Sequence, residues 1–108
     1  MAYELSNCIA LGVGNMREAA SFYERVLGYQ RRHESPGFIE MHTGALRLFL
    51  CNDQVTAPTF EMLVDDIAEA TEHLTKNGFK RHAEEADEVY MSDPFGYIYC
   101  VTKRHPVK

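Results

Sequence analysis

No stretch of this chain approaches the roughly 20 consecutive apolar residues that a membrane-spanning helix requires, so no membrane partner is expected. Cysteine is scarce: Cys8, Cys51 and Cys100 make an odd, widely spaced set of three. The N-terminus, Met1-Ala2-Tyr3-Glu4, lacks the basic-then-apolar pattern of a secretion signal. The cysteines therefore read as free thiols rather than a disulfide framework, and a cytoplasmic location is the expectation. No C-x-x-C, H-E-x-x-H or zinc-finger spacing occurs, which removes the common motif-borne metal sites. Basic residues never run longer than the pairs Arg31-Arg32 and Lys103-Arg104, and the formal net charge is -5. A phosphate backbone is gripped by a concentrated basic face, so no nucleic-acid partner is expected. Mild acidity suits plain solubility or a preference for cationic ligands.

What is present reads as ordinary globular protein. With 108 residues, 45% hydrophobic and 25% charged, the chain can bury roughly two-thirds of its unfolded surface in one domain. Within it a pattern recurs at near-constant distance. Ile9 to Met16 and Phe60 to Ile67 are alternating apolar strands, each running into a helix cap. Asn15 with Glu18, and Asp66 with Glu69, set a cap acceptor three residues before a carboxylate, a variant of the capping box. The first helix carries Met16, Ala19, Ala20, Tyr23, Val26 and Leu27 at the spacing of one apolar stripe, and Ile67, Ala70, Thr71 and Leu74 repeat it. Gly28 and Gly78 are the expected stops. The caps are offset by 51 positions (15 to 66) and the glycines by 50 (28 to 78).

Strand and turn signals fill the remainder of each unit. Phe38 to His42 and Ala45 to Cys51 extend after the first helix, and Val89 to Ser92 and Tyr97 to Thr102 after the second, with Asp93-Pro94-Phe95-Gly96 turning between the last two. The expected organisation is one domain over 1–108, with a β-α-β-β-β unit at 5–51, a linker at 52–58 and a second unit at 59–103. A ferredoxin-like β-α-β-β-α-β arrangement is the structural rival.

Two segments carry a family resemblance. Phe22-Tyr23-Glu24-Arg25-Val26-Leu27-Gly28-Tyr29 resembles the F-Y-x-x-x-L-G-[FY] helix end of the vicinal oxygen chelate (glyoxalase/bleomycin-resistance/dioxygenase) superfamily, and Asp93-Pro94-Phe95-Gly96 its D-P-[DE]-G turn. The resemblance implies an α+β fold in which two βαβββ repeats form curled half-barrels around a cup, the place of a small-molecule site. It also implies metal ligands in the enzymes of that superfamily: a His or Gln early in the first strand of each unit and a Glu in each last strand. There a divalent ion chelates two adjacent substrate oxygens. Carried over by position, these ligands fall on Cys8, Thr59, Leu48 and Cys100. None keeps the ligand type, so the expectation is no metal and no other cofactor.

Strand alternation assigns the faces. Ile9, Leu11 and Val13 are expected against the first helix, leaving Cys8, Ala10 and Gly12 toward the cup. Phe60, Met62 and Val64 are expected against the second, leaving Thr59, Glu61 and Leu63 inward. Leu46, Leu48 and Leu50 are assigned to the inner face in the fourth strand, and Ile98, Cys100 and Thr102 in the eighth. Such a cup is mostly apolar with few polar groups, the usual form of a small-ligand pocket. Glu61 is the candidate catalytic residue: it could fix a cationic ligand or act as a base, or could pair with an arginine or reach water. Glu40 and His42 share a face of the third strand, His42 either hydrogen-bonded structurally or catalytic. His33, His73, His82 and His105 are expected to face solvent, and Tyr90, Tyr97 and Tyr99 to stack on a planar ligand or pack at an edge or dimer contact.

The leading expectation is a metal-independent protein that binds or sequesters a small molecule, assembled as a homodimer as small members of the superfamily often are. The alternative is a lyase, isomerase or dioxygenase whose divalent metal has moved to Glu61, Glu40 and His42.

Overall fold

In the computed structural model, which describes residues 3–55, 58–85 and 87–104, both helices begin where a side chain can cap them. Asn15 accepts the Glu18 amide at 3.0 Å to start α1 (Met16–Leu27), and Asp66 accepts the Glu69 amide at 2.9 Å to start α2 (Ile67–Lys76). A second amide at α1 is satisfied from the linker, since Met16 N–H donates to Asn52 Oδ1 at 2.7 Å. These bonds satisfy amides that a helix N-terminus leaves without intrahelical partners.

Around the helices run β1 (Glu4–Gly12), β2 (Gln30–Glu34), β3 (Ile39–His42), β4 (Arg47–Cys51), β5 (Thr59–Val64), β6 (Lys80–Glu85), β7 (Glu88–Ser92) and β8 (Ile98–Lys103). The fold is α+β and the β-α-β-β-β order occurs twice. Among the described residues, 7–58 form one compact unit, and 3–6 with 59–104 form the other. In the N-terminal unit the strand order is β2-β3-β4-β1, and in the C-terminal unit it is β5-β8-β7-β6. The first and last strands of each unit pair in parallel, while the other pairs are antiparallel. Both second strands bulge at the same place in the repeat, between Arg31 and His33 and between Arg81 and Ala83.

Each unit has its own core, where a helix covers one sheet face. Met16 and Ala20 pack on Ile39, Met41, Leu48 and Leu50, with Ile9, Leu11 and Val13 alongside. Ala70 and Leu74 pack on Met62, Val64, Val89, Met91 and Val101. The helix stripe of α1 is narrower than its spacing implied, because Val26 and Leu27 are each 51% exposed and leave Met16, Ala19, Ala20 and Tyr23 as the packed set.

Helix ends also differ in one respect from expectation. Gly28 caps α1 at φ 72°, but α2 is capped by Asn77, whose side-chain amide donates to the His73 carbonyl at 2.8 Å. Gly78 takes the next position at φ 98°, and the Phe79 amide reaches back to the Leu74 carbonyl at 3.0 Å. That is the six-to-one bond of a Schellman turn. The last turn before β8 is built on Asp93. Its Oδ1 accepts the Phe95 and Tyr97 amides at 2.9 and 3.0 Å, and its Oδ2 accepts the Tyr99 hydroxyl at 3.0 Å. At the other end of the C-terminal unit Arg104 bonds both Glu4 and Asp65, fixing the first strand residues to the last.

Gly12 closes β1 where the linker passes over it: a Cβ there would meet the Gln54 carbonyl oxygen at 2.4 Å. Backbone cannot yield as a side-chain tip does. Gly12→Ala is expected to cost about 1–3 kcal/mol by overpacking, read as a lower urea midpoint at unchanged slope.

Candidate functional site

The helix-free face of each sheet carries the groups with chemistry to offer. In the N-terminal unit two register rows lie side by side. One runs His33, Glu40, Phe49, Ala10, and the other Gln30, His42, Arg47, Cys8. Arg47 organises them. Its Nε donates to Glu40 Oε2 at 2.9 Å, its Nη1 donates to Cys8 Sγ at 3.3 Å, and its guanidinium carbon stands 5.3 Å from the Phe49 ring centre. His42 Nε2 lies 2.6 Å from the same Glu40 oxygen. Phe49 in turn meets Phe38 at 5.3 Å between ring centres, and Phe38 meets His33 at 5.6 Å. The result is a half-buried aromatic strip ending in a charged cluster. The Arg47 hydrogen bond, followed by that of His42, holds the Glu40 carboxyl below its ordinary range against the cost of desolvation.

The corresponding face of the C-terminal unit is acidic and thiol-centred. Its middle row is Ala83, Tyr90, Cys100, Glu61, flanked by Glu85, Glu88, Thr102, Leu63 on one side and by Ser92, Ile98, Thr59 on the other. The Cys100 thiol donates to Glu88 Oε2 at 2.7 Å and stands 3.5 Å from Thr102 Oγ1. Burial first, and Glu88 second, push the thiol up to about 12, so it is a neutral donor and not a thiolate at neutral pH. Burial likewise raises the Tyr90 hydroxyl, with Cys100 and Glu88 adding to it. Glu61 has no hydrogen bond or ion pair among the described residues. His82 Nε2, on the bulge residue of β6, meets Ser92 Oγ at 2.7 Å. His33, His73 and His82 are exposed, His73 stacking on Tyr3 at 5.8 Å, while His105 lies outside the described residues.

The expected face residues sort unevenly. Cys8 and Ala10, Thr59, Glu61 and Leu63, and Ile98 and Cys100 all stand on helix-free faces. Leu48 and Leu50 do not: both are in the helix-facing core, Leu48 opposite Ile9 and Leu50 opposite Leu11. Leu46 precedes β4 in a turn, its amide bonded to Thr43 Oγ1 at 3.1 Å. The reason is register. Ala10 pairs with Phe49 as Glu61 pairs with Cys100, so the first-unit position matching Cys100 is Phe49, not Leu48. Leu48 and Leu50, the aliphatic pair of β4, go to the face that the helix buries, 9% and 0% exposed. Arg47 and Phe49 were therefore missed; the 51-residue offset that aligned the caps also aligns Phe49 with Cys100 and could have found them.

A model of the Glyoxalase/Bleomycin resistance protein/Dioxygenase superfamily matches residues 6–101. The chain belongs to this superfamily. Solved structures share its fold at low identity. A superfamily member from Vibrio splendidus 12B01 is 14% identical with a TM-score of 0.67, covering 94% of this chain and 98% of its own. Protein BH1468 from Bacillus halodurans C-125 is 14% identical with a TM-score of 0.71, covering 100% of this chain and 99% of its own. Methylmalonyl-CoA epimerase from Mycobacterium tuberculosis is 16% identical with a TM-score of 0.57, covering 94% and 88%. No curated protein matches the sequence.

The residues at this superfamily member's metal positions do not suit a divalent ion. Cys8 accepts from a guanidinium, Phe49 has no donor, Thr59 is a weak neutral ligand, and Cys100 is a protonated thiol bonded to a carboxylate. Glu40 and His42 are already bonded to each other, with Arg47 on the same oxygen. Among the described residues no three His, Cys, Asp or Glu side chains converge as a metal site.

The Arg47 cluster has a pH signature. Because the folded Glu40 pKa lies below its unfolded value of about 4.3, its stabilisation is present above that value and is lost as pH falls through the lower folded one. Glu40→Gln is expected to cost about 1–2 kcal/mol at neutral pH. Urea unfolding of both proteins should show the difference closing in acid.

Proposed function

We propose that the chain binds or sequesters a small molecule without a metal, using the helix-free sheet faces. The observation that carries this is the donor set: where the superfamily's enzymes place metal ligands, this chain has Cys8, Phe49, Thr59 and Cys100, two of them tied to Arg47 and Glu88. The surroundings suit a ligand with a planar apolar part. Within the N-terminal unit Phe38 and Phe49 offer ring faces beside Ala10, and within the C-terminal unit Leu63 and Ile98 offer apolar contact beside Glu61, a carboxylate with no hydrogen bond or ion pair among the described residues. A few placed polar groups on an apolar surface orient a ligand while burial supplies affinity. Binding without chemistry needs no open coordination position.

The competing reading is a lyase, isomerase or dioxygenase with a relocated divalent-metal site. Glu61, without a hydrogen bond or ion pair among the described residues, is the observation that favours it. Capturing Glu40 and His42 for a metal would displace the bonds to Arg47 and bring a second cation beside it, which costs Coulomb energy at that distance.

Two arms of one experiment separate these. Protein purified without chelators is analysed for metals, then its melting is followed with nickel, zinc, manganese and iron(II), and with a panel of planar, cationic and hydrophobic compounds. The proposal expects well under one equivalent of metal, no metal-induced shift, and stabilisation by a subset of the compounds. A ligand at about a hundred times its Kd adds about 2.7 kcal/mol, a rise of about 10 °C or more in Tm for a chain of this size. Stoichiometric metal with a raised Tm would overturn it in favour of the enzyme. No shift with any compound would overturn it in favour of a scaffold that binds nothing.

A further inference from the structure

A cleft of 790 Å³ opens on the helix-bearing side of the N-terminal unit, between the first two turns of α1 and the start of the linker, with Leu11, Val13, Ala19, Tyr23 and Val55 in its lining. It is separate from the helix-free face. Leu11 and Val13 pack with the core beneath α1, and alternation along β1 sends Cys8 and Ala10 to the opposite side of the strand. The linker wall is held in place before anything enters. Gly14 N–H donates to the Asp53 carbonyl at 2.7 Å, Met16 N–H donates to Asn52 Oδ1 at 2.7 Å, and the Gln54 carbonyl lies against Gly12. A wall fixed in this way loses little freedom when a ligand binds.

The lining has an apolar body and one charge. Phe22 is 48% exposed and Val55 80% exposed, so both keep apolar surface that an occupant would take from water. The Tyr23 ring extends the aromatic wall, its centre 6.0 Å from that of Phe22. Among the described lining residues Glu18 alone is charged, and its carboxylate has no hydrogen bond or ion pair among the described residues. Arg17, the adjacent cation on the helix, pairs with Glu34 at 3.4 Å instead. Arg25 lies about 10 Å further along the axis, its guanidinium carbon 5.7 Å from the Phe22 ring centre.

The start of a helix ordinarily favours an anion, through amides left without partners. Here most of those amides are already engaged. Besides Gly14 and Met16, Val13 donates to the Cys51 carbonyl, Glu18 to Asn15 Oδ1 and Ala19 to the Asn15 carbonyl, each at 3.0 Å. An anion would meet the Glu18 carboxylate with little to offset the repulsion, whereas a cation meets its counter-charge. We propose that this cleft is a second ligand site, for a small amphipathic cation whose ammonium group pairs with Glu18 and whose apolar body lies along Phe22, Tyr23 and Val55. The site is independent of whatever occupies the helix-free faces. Apolar burial supplies the affinity, and the single carboxylate sets the orientation.

Three probes that share one body test it: 4-phenylbutylamine, cationic at neutral pH, 4-phenylbutanol and 4-phenylbutyrate. Each is titrated into the nitrogen-15-labelled full chain, and the amide NMR shifts give both the dissociation constant and the place of binding. The amine is expected to shift the amides of Gly12, Gly14, Glu18 and Phe22. It should bind at least about threefold more tightly than the alcohol, the scale of a partly exposed ion pair, and the carboxylate more weakly than either. Glu18→Gln should bring the amine to the alcohol's affinity and leave the alcohol unchanged, and high salt should narrow the preference. Phe22→Ala should weaken the amine and the alcohol alike, while Glu61→Gln should alter neither at this cleft. Far-UV circular dichroism and melting of each variant confirm that the fold is retained. Equal affinity for amine and alcohol overturns the proposal, as does a preference that survives Glu18→Gln or the lack of a saturable shift with any probe. Shifts confined to the helix-free faces and sensitive to Glu61→Gln also overturn it, while supporting binding on those faces. Shifts at Phe22 and Val55 that grow with protein concentration alone overturn it in favour of a second copy as the occupant.

Discussion

The parallel pairing of the first and last strands in each unit decides nearly everything else. A parallel partner must be reached by a long crossover, and here the helix and two further strands supply it. Once Cys8 stands opposite Arg47, and Thr59 opposite Ile98, period-two alternation commits every side chain on those strands to helix or open face. One position of slip would exchange Leu48 with Phe49 and turn the charged cluster into the core.

Much of this was legible in the residues. Caps, glycines and turn segments repeat at fixed distance and report local backbone chemistry, which is why the βαβββ order and both helix starts could be read directly. The faces of β1, β5 and β8 followed as well, because each has an unambiguous apolar alternation beside small or polar residues. β4 did not yield, since Arg-Leu-Phe-Leu-Cys is apolar on both faces and only its partner's register separates them. Val26 and Leu27 were misjudged for a related reason: periodicity shows which residues share a side of a helix but not how far the sheet extends beneath it.

The two open faces differ in chemistry on equivalent registers. Equivalent rows hold Ala10 and Phe49 in one unit, and Glu61 and Cys100 in the other. One face ends in a guanidinium that holds a carboxylate below its ordinary range; the other ends in a thiol raised by burial first and by its carboxylate neighbour second. In each, a cysteine at a carried-over ligand position is bonded within its own unit, Cys8 to Arg47 and Cys100 to Glu88.

The joint between the copies is more than a tether. Asn52 supplies an oxygen to the first amide of α1, the Asp53 carbonyl receives the Gly14 amide at 2.7 Å, and the Gln54 carbonyl crowds against Gly12. The stretch that an ancestral duplication would have used merely to connect has been absorbed into the folding of the first copy. A chain cut and rejoined at that point would keep every strand and still lose the start of a helix.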